Sequence, residues 1–497
     1  MKKTLVEAKV TQMEKLIVIG GGPAGVTAAL RARELGAAVT LIEGGALGGV
    51  CTNDGCVPTR VLARAARLAR NARQFADYGL TPVTPQVDFR RLLDKAQEVV
   101  YTVHEKKQLQ SHLAGAGVQV YADSGPAHFV DPHTVELGDG TQLTADKFIL
   151  CAGGRARKLP IPGAEYTLTH SDVWSMKALP AAVAIIGAAA TGCQLASVFN
   201  TFGAEVHLLD LAPRILPGED TATSAQIAAA FNRRGLHVHA GIDGVKGIER
   251  TGAGMRLTFV DNGAEQSVEV DTVIQAVGWP GNADRLNLEA AGVTSARSYV
   301  VVDDYLRTTA PHIFAAGDIN GRMMLVQSAG HEARIAAENA VLGPTRAAGH
   351  QIVPHGGFTD PEYASVGLTE DAARRDHDIV VAEVSYADLD RAVIDGRTEG
   401  LCKLVANRAD GTLLGAHVVG EQALEIVHMV AAGMVSGMTA LKIAQMEIAY
   451  PTYTAVLGLA ARRLLTELGS DESSAHWRGL GRTSAPVSEW ERREPLA

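Results

Sequence analysis

Cysteine is scarce in this chain. Five occur in 497 residues, at positions 51, 56, 151, 193 and 402, too few for a disulfide-stapled scaffold. Positive charge is not in excess either: the formal net charge is -9 and no Lys/Arg stripe overrides it, so the electrostatic footprint of a nucleic-acid binder is missing. The opening residues lack a secretory signal, because Glu7, Lys9 and Glu14 interrupt any apolar run, and the expected location is cytoplasmic. One uncharged stretch, 178–204, is long enough to span a bilayer, which takes about 20 residues. Pro180, Gly187, Gly192 and Asn200 divide it into a strand, a turn and a helix, so no membrane partner is expected. What remains is ordinary globular composition, 46% hydrophobic and 20% charged. At about 150 residues per domain, the length predicts about three domains.

The first strong pattern is an aliphatic run, Leu16 to Ile19, followed by Gly20, Gly22 and Gly25 in the G-x-G-x-x-G spacing with Pro23 and Ala24 between them. A helical Ala/Leu/Arg stretch follows, then a second run, Val39 to Ile42, ending at Glu43. Such glycines let the backbone turn tightly and approach a pyrophosphate at a helix N-terminus, while the acid accepts from ribose hydroxyls. The pattern recurs in the uncharged stretch. Val183 to Ile186 precede Gly187, Ala189 and Gly192, and Val206 to Leu209 precede Asp210. Ala189 replaces the middle glycine and adds only one methyl. A carboxylate at Asp210 repels a 2′-phosphate, which favours NADH over NADPH, although Arg214 lies nearby. Two dinucleotide folds imply two dinucleotides, and a flavin is the usual relay between a hydride donor and thiol chemistry.

Cys51 and Cys56 lie just before an alanine- and arginine-rich helix, with the turn residues Asn53, Asp54 and Gly55 between them. A helix N-terminus favours thiolate. The pair therefore reads as redox-active, against the alternative of two inert buried cysteines. Cys151, Cys193 and Cys402 stand in apolar contexts and read as core.

Gly48-Gly49-Val50-Cys51-Thr52-Asn53-Asp54-Gly55-Cys56-Val57-Pro58 resembles the redox motif of the class I pyridine nucleotide-disulfide oxidoreductases. Cys151-Ala152-Gly153-Gly154 resembles the link leaving the flavin domain of that family, and Ala276-Val277-Gly278 with Asn282 its return. His312 to Gly317-Asp318 resembles the segment whose Asp holds the ribityl chain, and Phe358 to Glu362 with Leu414 to His417 resembles the dimerisation domain. The resemblance covers about residues 14–466. It implies an α/β fold of two Rossmann-like dinucleotide-binding domains plus a C-terminal α+β dimerisation domain. The implied division is 1–155 and 280–350 for FAD, 156–279 for NAD(H), 351–466 for dimerisation and 467–497 as a polar tail. It also implies a homodimer in which NADH reduces FAD, FAD reduces the Cys51–Cys56 disulfide, Cys51 attacks a small disulfide or other thiol-reactive acceptor, and Cys56 faces the flavin as thiolate.

Three departures limit that inference. The His-Pro-Thr-x-x-Glu of lipoamide and glutathione reductases reads Tyr450-Pro451-Thr452-Tyr453-Thr454-Ala455, so the acid/base dyad is missing. Tyrosine there is similar to the soluble transhydrogenases, and keeps open, beside dihydrolipoamide dehydrogenase activity as an alternative, a reaction at the flavin itself with quinones, metal ions or a second nicotinamide. The family lysine four residues after the second cysteine is Arg60, and its glutamate partner is Gln194, which makes a net positive pair or a neutral exchange. Trp279 stands where an arginine is usual. The tail from Ser470 carries no cysteine, so the metal-handing pair of mercuric reductases is incomplete. His331 and His428 read as structural. A non-enzymatic alternative is a redox sensor or a component of a larger complex.

Overall fold

The computed structural model describes residues 13–252 and 254–469. The first twelve residues and the polar tail from Ser470 onward therefore lie outside the described residues. Within them the chain forms two compact units. One runs through Gly218 and resumes over 227–353 and 357–360; the other holds 219–226, 354–356 and the residues from Pro361 onward.

The first unit holds two five-stranded sheets of the same design. In the first, Lys15–Ile19 lies at the centre, with Ala38–Ile42 and Gln119–Tyr121 on one side and Lys147–Leu150 and Ile313–Ala315 on the other, all parallel. These strands are short apolar runs with little alternation, as a sheet covered on both faces requires, and Leu16 to Ile19 are all buried. In the second, Ala182–Ile186 is central, flanked by Glu205–Asp210 and His237–Ala240 on one side and Thr272–Gln275 and Leu168–Thr169 on the other. The uncharged 178–204 stretch is thus a buried strand followed by the helix Ala190–Thr201. No helix among the described residues is long and apolar enough to cross a membrane.

Each central strand breaks into a glycine turn for the same physical reason. Gly20 and Gly187 adopt φ of 109° and 102°, which side chains disfavour. A Cβ on Gly25 would fall 1.7 Å from the Gly20 carbonyl oxygen, and one on Gly192 would fall 1.8 Å from that of Gly187. Only glycine lets these helices seat so closely on their strands. Gly22 and Ala189 are extended, with φ of -74° and -79°, so alanine in the second loop costs no backbone strain.

Two segments join the sheets side by side. Arg155 N–H donates to the Pro280 carbonyl at 3.0 Å, Asn282 N–H to that of Gly153 at 3.0 Å, and Gly154 bridges to Gly281. Gly154 has no room for a side chain, since a Cβ would lie 2.5 Å from Trp279 Nε1. Two three-stranded antiparallel sheets, at 128–144 and 244–270, and a two-stranded one, Ser295–Ala296 with Tyr299–Val300, complete the sheets of this unit among the described residues. The second unit is built on a five-stranded sheet ordered His355–Gly357, Tyr363–Gly367, Leu413–Val419, Leu401–Asn407 and Ile379–Ser385. The helices Ala423–Val435 and Ala455–Glu467 belong to the same unit.

Candidate active site

The redox motif folds as two helices broken by a turn. Cys51 lies in the short helix Gly49–Asn53, and Cys56 is the first residue of Cys56–Ala72. Asp54 and Gly55 N–H both donate to the Val50 carbonyl, at 3.0 and 2.7 Å, and this folded turn brings the two sulfurs within hydrogen-bonding reach. Both cysteines are present as thiols. The turn is pinned from outside: Ser171 Oγ donates to Asp54 Oδ2 at 2.6 Å and Trp174 Nε1 to the Asp54 carbonyl at 2.8 Å. Gly49 packs on the first nucleotide loop, where an added Cβ would lie 2.8 Å from Gly22 Cα. The cysteines are therefore carried directly beside that loop.

The two thiols are electrostatically unequal. A hydrogen bond from Cys51 is the main influence lowering Cys56 to about 7; burial opposes it, and the Cys56 backbone N–H supports it. Cys51 is pushed far up, first by donating that hydrogen bond and then by burial. Lys107 favours thiolate on both sulfurs and Asp318 disfavours it. Lys107 comes from the helix Phe89–Lys107, where its Nζ donates to Thr52 Oγ1 at 3.1 Å. On the same helix His104 Nε2 lies 2.6 Å from Asn53 Oδ1. Neither residue was legible in the sequence, because each sits some fifty positions away, in a segment without a motif.

Asp318 follows the strand Ile313–Ala315, with its pKa raised chiefly by burial and held down in part by Trp279, whose Nε1 donates to Oδ2 at 2.9 Å. This ties Trp279 to the turn that follows the strand Ile313–Ala315. The turn is held by Glu332, fully buried, whose Oε2 accepts from Gly317 N–H at 2.7 Å and Asn320 Nδ2 at 2.8 Å. Glu332 was missed in the sequence, where the neighbouring His331 drew notice; His331 is exposed, its ring 5.8 Å from that of His350. Gly278, with φ of 130°, accepts at its carbonyl from Arg157 N–H.

Arg60 and Gln194 share one neighbour. The Arg60 guanidinium lies over the Phe358 ring at 4.1 Å, and Gln194 Oε1 accepts from Phe358 N–H at 3.1 Å. In the second unit Tyr450 is 75% exposed and its hydroxyl donates to Asp390 Oδ2 at 2.9 Å, a bond that raises its pKa. His428 is exposed too, bonded at Nδ1 to the Leu424 carbonyl. Cys151, Cys193 and Cys402 are buried at 5% exposure or less, and burial pushes their thiols up, that of Cys402 to about 12.

Both nucleotide loops fit a dinucleotide. Neither helix N-terminus has a side-chain cap, so its N–H groups face outward, and a Cβ on Gly22 would meet nothing nearer than Gly49 Cα at 3.6 Å. The acids grip the two loops alike. Glu43 accepts from Gly21 N–H at 2.6 Å and Gly45 N–H at 2.9 Å, while Asp210 accepts from Ala188 N–H at 2.5 Å and Ala212 N–H at 2.8 Å.

Comparison with known proteins agrees with this geometry. Residues 14–333 match the pyridine nucleotide-disulphide oxidoreductase model and 353–461 match the dimerisation domain of the same family. Dihydrolipoyl dehydrogenase of Bacillus subtilis is 34% identical, over 88% of this chain and 93% of its own. Mercuric reductase of Staphylococcus aureus is 31% identical, over 90% and 81%. The HOCl-induced flavoprotein disulfide reductase RclA from Escherichia coli superposes with a TM-score of 0.79 at 26% identity, over 90% of this chain and 99% of that one. The chain belongs to the pyridine nucleotide-disulfide oxidoreductase family, as a flavin-dependent oxidoreductase acting on sulfur groups.

Proposed function

We propose that the protein is a homodimeric, NADH-dependent reductase of small disulfides, with Cys51 as the attacking sulfur and Cys56 as the sulfur that closes the cycle. The observation that carries this reading is the unequal pair, one thiol held up and the other drawn to about 7, in a motif seated on the first nucleotide loop. FAD at that loop supplies the two-electron relay between nicotinamide hydride and the disulfide.

The chain's own steps follow from the hydrogen bond between the sulfurs. After two-electron reduction and uptake of one proton, Cys51 is a thiol and Cys56 a thiolate. Loss of the Cys51 proton to water frees its sulfur to attack RSSR′, which forms Cys51–S–SR and releases R′S⁻. The Cys56 thiolate then attacks the Cys51 sulfur, which expels RS⁻ and restores the disulfide. The released thiolates take up the protons. In sum, RSSR′ + NADH + H⁺ gives RSH + R′SH + NAD⁺.

NADH is favoured by Asp210, and Arg214 is engaged at Leu216 and Pro217 carbonyls, at 3.2 and 2.9 Å. The match of residues 353–461 to the family's dimerisation domain supports a homodimer. The domain division at 155, 279, 350 and 466 goes with this reading. The test is thiol counting. NADH-reduced and oxidised holoenzyme are alkylated with iodoacetamide; two additional labels, at Cys51 and Cys56, are expected. Consumption of NADH with no new label would point to the rival reading, transfer from the flavin itself, which Tyr450 in place of histidine favours.

A further inference from the structure

We propose that Glu205, His207 and His237 form a binding site for a zinc-class divalent transition-metal ion, with His239 as the supporting residue behind His207. The strands Glu205–Asp210 and His237–Ala240 are parallel neighbours, in a register that pairs His207 with His237 and Leu209 with His239. Side chains two apart on a strand share a face, and parallel partners point the same way. One carboxylate and three imidazoles therefore crowd one face of the sheet edge.

Two of the three donor distances are those of a tetrahedral coordination site, and the third is within reach of one. Glu205 Oε1 lies 3.4 Å from His207 Nε2 and 3.4 Å from His237 Nε2, and the three ligand atoms all fall within 4.8 Å of one another. Ligand bonds of about 2.0–2.1 Å in a tetrahedron place neighbouring donors about 3.3–3.4 Å apart. Glu205 is 58% exposed, free to extend into water, yet it turns its oxygen between two ring nitrogens. The other face of His207 is also engaged: its Nδ1 lies 3.2 Å from His239 Nε2, and His239 is seated against Phe259 with ring centroids 5.1 Å apart. A ligating histidine is held in this way, with one nitrogen committed to a partner and the other left to the ion.

The donor chemistry selects the ion. Two imidazoles and one carboxylate, at an edge where Glu205 and His237 are open to solvent, suit Zn²⁺ and similar ions, whereas Ca²⁺ and Mg²⁺ require oxygen-rich shells. Asp210 stands five residues along the strand from Glu205, about 17 Å at 3.4 Å per residue, so the ion does not touch the nucleotide loop.

The test uses FAD-loaded protein stripped with a chelator and titrated calorimetrically with ZnCl₂, in a Cys51→Ser/Cys56→Ser background that removes the competing thiols. One Zn²⁺ per chain is expected. His237→Ala should weaken binding at least ~100-fold, and His239→Phe about 10–100-fold. Glu205→Gln, at an exposed position, serves as a second variant should His237→Ala lose its flavin, and should weaken binding by at least ~10-fold. Zn²⁺ uptake that vanishes with the cysteines, or that is unchanged in the His237 and Glu205 variants, would overturn the assignment.

Discussion

Cys56 and Cys51 have the same side chain and differ only in surroundings. Cys56 opens a helix of 17 residues and receives the hydrogen bond; Cys51 donates it. With Cys56 lowered to about 7, its thiolate is present above that pH and lost below it. Alkylation of Cys56 in the reduced enzyme should fall about tenfold per pH unit on the acid side and level off on the alkaline side. Lys107 is the cation acting on both sulfurs, and Lys107→Gln should move that midpoint upward by on the order of half a unit. An unmoved midpoint would remove Lys107 from the account. Tyr450 bears on substrate choice. Its hydroxyl is committed as a donor to Asp390, so it does not replace a histidine base. Dihydrolipoamide oxidation should run at least ~100-fold below that of enzymes with the dyad; a comparable rate in a steady-state assay would show that another group takes the proton.

The two strand–turn–helix elements were legible in the sequence because their constraints are local. A strand buried on both faces demands an apolar run, the turn demands glycine at positive φ, and the helix contact forbids a Cβ at Gly25 and Gly192. The same locality yields a paired expectation. Gly192→Ala would drive a Cβ to 1.8 Å from the Gly187 carbonyl oxygen, so the protein should keep its flavin but lose nicotinamide affinity by at least about tenfold. Gly25→Ala should instead cost flavin retention, measured by absorbance after gel filtration. Equal loss of both cofactors in both variants would contradict the assignment of one dinucleotide to each loop. Contacts between distant segments were not legible. Phe358 lies nearly 300 positions from Arg60, Glu332 holds a turn ahead of it in the chain, and Lys107 reaches the redox helix from another helix. No period or motif encodes such meetings; they follow from how the elements pack.

At the scale of the whole molecule, the C-terminal unit carries a buried charge cluster. Lys403, 5% exposed, contacts Asp220 at 2.8 Å and Glu370 at 2.6 Å. Burial is the largest influence and opposes ionisation of both carboxyls, but the Lys403 hydrogen bonds together with the Glu370 N–H and His417 at Asp220, and with Arg374 at Glu370, outweigh it and hold their pKa below the usual range. Their contribution is present above the ordinary carboxylate pKa, near ~4, and is lost as pH falls through the lower folded values. Lys403→Met leaves the buried Asp220 without its lysine, while Glu370 keeps Arg374, and should cost about 3–5 kcal/mol by denaturant unfolding; a loss under ~1 kcal/mol would show the cluster to be solvated. The composition already indicated a multidomain globular chain, while this cluster joins residues some 180 positions apart and was invisible in it. The central claim is that the Cys51–Cys56 pair lies in the path of the electrons. Its most direct test is anaerobic titration of the FAD-loaded enzyme with NADH, following the flavin band and the long-wavelength thiolate-to-flavin absorbance in wild type and Cys56→Ser. Appearance of that absorbance after two electrons, and its loss in Cys56→Ser, is the expected result; direct bleaching of the flavin without it in the wild type would contradict the account.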